Sequence, residues 1–253
     1  MSTVDLQTAA LREVETDRAS IGEVRPLKID LSQTSLRDLN EQLQRQSEGG
    51  NQTFWEVSDP RGAHAVAVGL DAPLIVTIRG SVGYYCAGMN KKATVIVHGS
   101  AGPGVAENMM SGKVVVKGDA SQYAGATAHG GLLVIEGNAS SRCGISMKGV
   151  DIVVKGNIGH MSAFMAQSGN LVVLGDAGDA LGDSIYEARL FVRGKVKSLG
   201  ADCIEKEMRP EHHELLRELL MQANITDVST SEFKRYGSAR QLYNFNVDNA
   251  DAY

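Results

Sequence analysis

Seven glycines stand on a strict clock. The runs IVTIRG, TVIVHG, KVVVKG, LLVIEG, DIVVKG, LVVLG and LFVRG end at Gly80, Gly99, Gly118, Gly137, Gly156, Gly175 and Gly194, always 19 residues apart. A fixed period of this length is the signature of stacked repeats and overrides any element-by-element reading. Within each run two aliphatic columns recur. One is Val76, Val95, Val114, Leu133, Ile152, Leu171 and Leu190; the other lies two residues later, from Ile78 to Val192. Residues two apart share a face of a strand. The intervening column, Thr77, Ile96, Val115, Val134, Val153, Val172 and Phe191, is also mostly apolar, so both faces of the sheet require cover.

A coil of 19 residues holds one strand of about five residues and turns; it cannot bury its own apolar side. Stacking coil on coil buries that side and pairs the strands in parallel, about 4.8 Å per step. Of the 28 glycines, 22 fall between residues 75 and 200, and Pro103 is the one proline there. Proline would remove a ladder donor from a central strand, so its absence from the apolar runs fits. The clock glycines read as places where φ is positive or where neighbouring coils approach closely. The competing fold, a doubly wound α/β sheet, needs a helix between strands. Linkers such as GSAGPGVAENMMSG are too short and too glycine-rich for that. The expected fold is an all-β, right-handed parallel β-helix of about seven coils with small helical caps.

An open coil at each end must be covered. Residues 25–74 read as an α/β cap: a strand at LKIDL, a helix through SLRDLNEQL capped by Ser32 or Thr34 with Leu36, Leu39 and Leu43 on one face, a break at 49–51, then strands at FWEV and HAVAV. Residues 75–205 form the β-helix. Residues 206–225 read as a helix over the other end, started by Pro210 and carrying Leu215, Leu216, Leu219 and Leu220. Residues 1–24 read as a polar arm. Residues 226–253 read as an extended tail holding five of the 13 aromatics. Phe233, Tyr236, Tyr243 and Phe245 are its candidate partner contacts; the alternative folds the tail back along its own solenoid.

Little in the chain resembles a catalytic constellation. The six histidines show no HxxxH spacing, and Cys86, Cys143 and Cys203 lie far apart with no CxxC. Free thiols and a reducing cytoplasm fit that usage. Asp176, Asp179 and Asp183 sit beside glycines in one coil, where Asp is an ordinary turn residue. The net charge of −5 argues against a nucleic-acid partner, and no apolar run reaches the length of a membrane span. The N-terminal residues lack the apolar core of a secretory signal. No catalytic, cofactor-binding or metal-binding residue is assigned.

The stretches GYYCAGMN, GVAENMMSGKVVVKG, YAGATAHGGLLVIEG, CGISMKGVDIVVKG, GHMSAFMAQSGNLVVLGDAGDALGD and LFVRGKVKSLGADC together resemble the glycine-rich GXGXG domain. That domain is the right-handed β-helix at the C-terminal end of the glutamate synthase large subunit. The resemblance covers residues 60–205. It implies a stand-alone version of the domain, without the amidotransferase domain or the FMN barrel of the fused enzyme. Such subunits occur in three-subunit glutamate synthase-like complexes, notably N-methylglutamate synthase, which joins glutamate and methylamine to give N-methylglutamate and ammonia. There one partner is glutamine amidotransferase-like and another binds FMN and an iron–sulfur cluster. The family's nucleophile, flavin contacts and cluster ligands belong to those partners, and none maps onto a residue here. The implied role is a non-catalytic scaffold within a hetero-oligomer.

Three rivals share parts of this pattern. One subunit of formylmethanofuran dehydrogenase, and its counterpart in the related formyltransferase/hydrolase complex, carries the same repeat. A β-solenoid acyltransferase would show a six-residue sub-period, which these coils lack. A carbohydrate-active β-helix would carry a cleft rich in aromatics and carboxylates, and aromatics are scarce in the coils.

Overall fold

The computed structural model describes residues 25–48 and 53–240. Eleven strands form one sheet in the order β1-β2-β3-β4-β5-β6-β7-β8-β9-β11-β10. They are β1 (Leu27–Asp30), β2 (Phe54–Ser58), β3 (Ile75–Arg79), β4 (Thr94–Val97), β5 (Lys113–Val116), β6 (Leu132–Ile135), β7 (Lys148–Val154), β8 (Ser168–Val173), β9 (Arg189–Val192), β10 (Cys203–Lys206) and β11 (Lys234–Ser238). Among the described residues two α-helices accompany them, α1 (Leu36–Gln44) and α2 (Pro210–Gln222). The fold is the expected all-β solenoid. From β3 to β9 the register step is 19 residues, for example Val95↔Val114 and Leu171↔Leu190, except at the start of β7, where Lys148 pairs with Ser168 before a bulge restores the step.

The repeat is visible in burial. Both inner columns, from Val76 and Ile78 to Leu190 and Val192, are at most 1% exposed. Each such side chain stabilises the stack by about 1.5–3 kcal/mol. A second wall, missed in the sequence columns, follows the glycines. Val82, Ala101, Ala120, Ala139, Ile158, Ala177 and Val196 pair rung to rung as isolated parallel bridges. A third wall turns through alternating left-handed residues, three per coil: Tyr123, Gly125 and Thr127 in one coil, Met161, Ala163 and Met165 two coils on. Most of these are not glycine, and each left-handed L-residue costs about 1–2 kcal/mol. Hydrogen bonds between coils offset that cost. The Tyr123 and Thr127 amides donate forward to Ser141 and Ile145, while the Gly125 amide donates back to Val105.

The clock glycines owe their identity to crowding. Among the seven, only Gly80 has positive φ. At Gly118, Gly137, Gly156 and Gly175 a Cβ would come within 3.0 Å of the preceding glycine's backbone. The amides instead form a ladder, from Gly118 N–H to Gly99 carbonyl (2.9 Å) up to Gly194 N–H to Gly175 carbonyl (3.1 Å). The residue after each glycine adds a side-chain ladder. Ser100, Asp119, Asn138, Asn157 and Asp176 each accept from the backbone N–H one coil further on, at 2.7–3.2 Å.

Several sequence expectations are corrected at the ends. The stack begins one coil early: β2 pairs in parallel with β3 at a step of 21 residues, and β1 pairs with β2. HAVAV is not a strand but that coil's turn segment, with Ala65 and Ala67 left-handed. The cap of α1 is Ser35, whose hydroxyl accepts from the Asp38 amide at 3.1 Å. The expected break at 49–51 lies outside the described residues. At the other end, α2 is not an end cap. Leu216, Leu219 and Leu220 pack with Val153, Val172 and Phe191, so the helix lies on the outer face of the sheet. The last coil is closed by β11, which pairs antiparallel with β9, and by β10 beyond it. The sequence patterning had required both faces to be covered, and α2 is what covers the outer one over β7–β9.

Candidate interaction surfaces

Among the described residues the three cysteines are all buried. Cys86 and Cys143 are fully buried at equivalent positions three coils apart, about 14 Å at the rung spacing. Burial pushes both thiols up to about 12. Cys203, buried in β10, is pushed as high by burial and by Asp183. A thiolate is the reactive form, so these behave as small apolar side chains. Their separation also prevents them from ligating one cluster. Asp176 accepts from the Lys195 amide, Asp179 from Lys197 and Ser198, and Asp183 from Ser184 and the Ala201 amide. These are turn contacts, as their glycine neighbours imply. Among the described residues, no group of three His, Cys, Asp or Glu side chains could hold a metal ion.

The candidate partner residues divide. Phe233 and Tyr236 are buried in this chain, at 4% and 6% exposure. Phe233 packs with α2 against the outer face, and Tyr236 joins the main core from β11. They are therefore not surface contacts, and the tail does fold back along its own solenoid as far as Arg240. The reason is edge chemistry: the open edge of β9 takes an antiparallel strand, which carries these rings inward. Tyr243 and Phe245 lie outside the described residues.

Two surfaces remain open. The first lies along the left-handed turns. Tyr84, Met89, Met110, Met165 and Tyr186 are 39–50% exposed there, far more than a core side chain. Tyr84 stacks on Tyr85 with ring centres 5.5 Å apart, and Arg142 stands 5.9 Å over the Tyr123 ring. Met89 and Met165 share one position of the repeat and Met110 and Tyr186 another, but the coils between carry polar residues there, Asn108, Thr127 and Ser146 in the first case, so no apolar column marks them in the sequence.

The second is a groove of about 260 Å³ on the outer face, beyond the C-terminal end of α2. Ile96, Val115 and Val134 lie among its lining, with Arg79, His98, Lys113, Lys117 and Glu136. Apart from Lys113, which opens β5, these are the outer column and the residues that precede the clock glycines. Lys113 donates to the Gln222 carbonyl at 2.8 Å, and burial together with Lys117 lowers its pKa. Burial opposes ionisation of Glu136, yet Lys155 and Lys117, at 3.1 and 3.2 Å, hold its carboxyl below the usual range. Arg79 and Lys28 share Glu56 at the rim. Within the lining, Arg79, Lys113 and Lys117 thus outnumber Glu136.

No family model matches the chain. It is 74% identical over 225 residues to "Protein GlxC" of Rhizobium meliloti (strain 1021), a match spanning 89% of this chain and 99% of that protein.

Proposed function

The chain belongs to the same family as GlxC, and from that premise we propose that it is a non-catalytic scaffold subunit of a glutamate synthase-like complex. The observation that carries this reading is the sealed stack: nine parallel strands, β1 to β9, with inner columns at or near zero exposure and the left-handed residues tied to neighbouring coils. Such a block resists bending and holds its outer surfaces at fixed separations. The i, i+2, i+4 spacing of left-handed residues in each coil supports the GXGXG resemblance, since it is the spacing that glycine satisfies most cheaply. The exposed Tyr84, Met89, Met110, Met165 and Tyr186 side chains support a role as a subunit, because tyrosine and methionine are enriched at contact surfaces.

The finer reading is N-methylglutamate synthase. In it, a glutamine amidotransferase-like subunit and a subunit carrying FMN and an iron–sulfur cluster are held in register by this chain in the cytoplasm. Among the described residues no helix is long and apolar enough to cross a membrane. The test is co-expression with those two subunits, followed by assay of N-methylglutamate formed from glutamate and methylamine. A three-component complex whose turnover collapses when this chain is omitted supports the proposal. Turnover by this chain alone, or undiminished turnover without it, overturns it.

A further inference from the structure

We propose that the basic groove on the outer face of β3–β6 is the docking site of this chain's own residues 1–24. The groove continues the same outer column that α2 covers. Exposure along that column falls from β3 to β9: Thr77 and Ile96 are half-exposed, Val115 is 8% exposed, and Val153, Val172 and Phe191 are fully buried. Over β3 and β4 the column therefore lacks the cover it has further along. The cations bordering it outnumber the acids. Of the charged residues in its lining, Arg79, Lys113 and Lys117 stand against Glu136, while Lys28 and Lys155 reach its border through their ion pairs with Glu56 and Glu136. A complementary occupant has apolar side chains and an excess of negative charge.

Residues 1–24 have that composition. They carry Asp5, Glu13, Glu15, Asp17 and Glu23 against Arg12 and Arg18, with Val4, Leu6, Leu11 and Val14 interspersed. Three of the acids alternate through residues 13–17. The connection is short. Residue 25 precedes β1, and β1 is two rungs from β3 and five from β6, about 10–24 Å along the sheet. A segment of 24 residues spans that distance several times over. The acidic residues after Arg240 are a poorer fit. Arg240, the last described residue before them, is bridged to Asp202 at the far end of the stack, and α2 lies between that point and the groove.

The full-length chain tests this by lysine acetylation followed by mass spectrometry. The wild type is compared with a variant carrying Glu13→Gln, Glu15→Gln and Asp17→Asn. Lys113 and Lys117 should label at least fivefold faster in the variant, and high salt should release the wild type in the same direction. Lys91 and Lys92, bridged to Asp71 away from the groove, should not change. Carbodiimide should couple Glu13, Glu15 or Asp17 to Lys113 or Lys117 within one chain. Equal labelling of the two proteins, with no such coupling, overturns the proposal. Protection that disappears on dilution assigns the groove to a second copy and overturns it as well, as does protection seen only when a partner protein is added.

Discussion

Asn40 closes the first coil on Ala67. Its Oδ1 accepts from the Ala67 backbone N–H at 3.0 Å, and its Nδ2 donates to the Ala65 carbonyl at 2.8 Å. In every later coil the middle left-handed residue donates backward to the preceding coil, as Ala87 does to Val66. Ala67 has no such coil behind it, and the helix side chain takes its place. Gln44 does the same one turn on, donating to the Val68 carbonyl at 2.9 Å.

Asn40→Ala should therefore destabilise the N-terminal end by about 1–3 kcal/mol, the cost of orphaning a buried amide. Asn40→Asp, which keeps the acceptor and loses the donor, should cost less. Hydrogen exchange reads this locally: the amides of residues 65–69 should exchange faster in the alanine variant, with β7–β9 unchanged. Uniform protection across both variants would remove the closing role.

Gly156→Ala should cost more than about 3 kcal/mol. Its Cβ would stand 2.7 Å from the Gly137 carbonyl oxygen and 2.9 Å from that carbonyl carbon, and rigid backbone cannot yield. Gly62 is the control. It has φ +71° and open space around its Cβ position, so Gly62→Ala bears only backbone strain of about 1 kcal/mol. Thermal melting of the two proteins should rank them in that order. Equal losses would mean that the clock glycines serve backbone conformation rather than close stacking.

The repeat strands were legible because period and alternation both act on side chains. Val114 and Val116 declare their face by spacing alone. The first coil was not, because Asp59, left-handed at φ 55°, stands where Gly80 stands in the next coil, and the step is 21 residues rather than 19. The left-handed wall hid for a related reason. Tyr85, Ala87 and Met89 carry no compositional sign of positive φ; the hydrogen bonds that hold them there join residues 18–21 apart. The leucine stripe of α2 correctly announced an apolar face. What such a stripe cannot state is which surface receives it, and the end of the stack and its flank are both apolar. The basic groove escaped notice because its cations come from separate coils and meet only when the rungs are stacked.

The buried thiols tie stability to alkaline pH. Folding raises Cys86 and Cys143 from an ordinary 9.0 to about 12. Below pH 9 both folded and unfolded chains keep the protons, and the stabilising contribution is fully present. As pH rises from 9 to 12 the unfolded chain ionises while the folded chain does not, so stability falls through that window. Urea midpoints at pH 8 and pH 10.5 should differ in this direction, and Cys86→Ala/Cys143→Ala should flatten the difference. In the native protein at pH 8, maleimide should leave both thiols unmodified. Rapid labelling without denaturant would contradict their burial.

Phe233 separates a structural from an interfacial role for the described C-terminal residues. Buried with Leu216, Leu219 and Leu220 over Val172 and Phe191, it helps pin α2 to the sheet. Phe233→Ala should lower the stability of the isolated chain by about 3–5 kcal/mol, and Leu219→Ala by about 2–5 kcal/mol. Both should expose the outer column, raising binding of a hydrophobic dye and protease cleavage between β10 and β11, while the far-ultraviolet signature of the sheet persists. The sheet survives because its inner columns do not touch α2; the helix is held by the second, outer core. A partner contact would behave in the opposite way, leaving the melting of the isolated chain unchanged and weakening assembly alone. An unaltered melting temperature for Phe233→Ala would thus return this ring to the surface and detach α2 from its assigned place in the core.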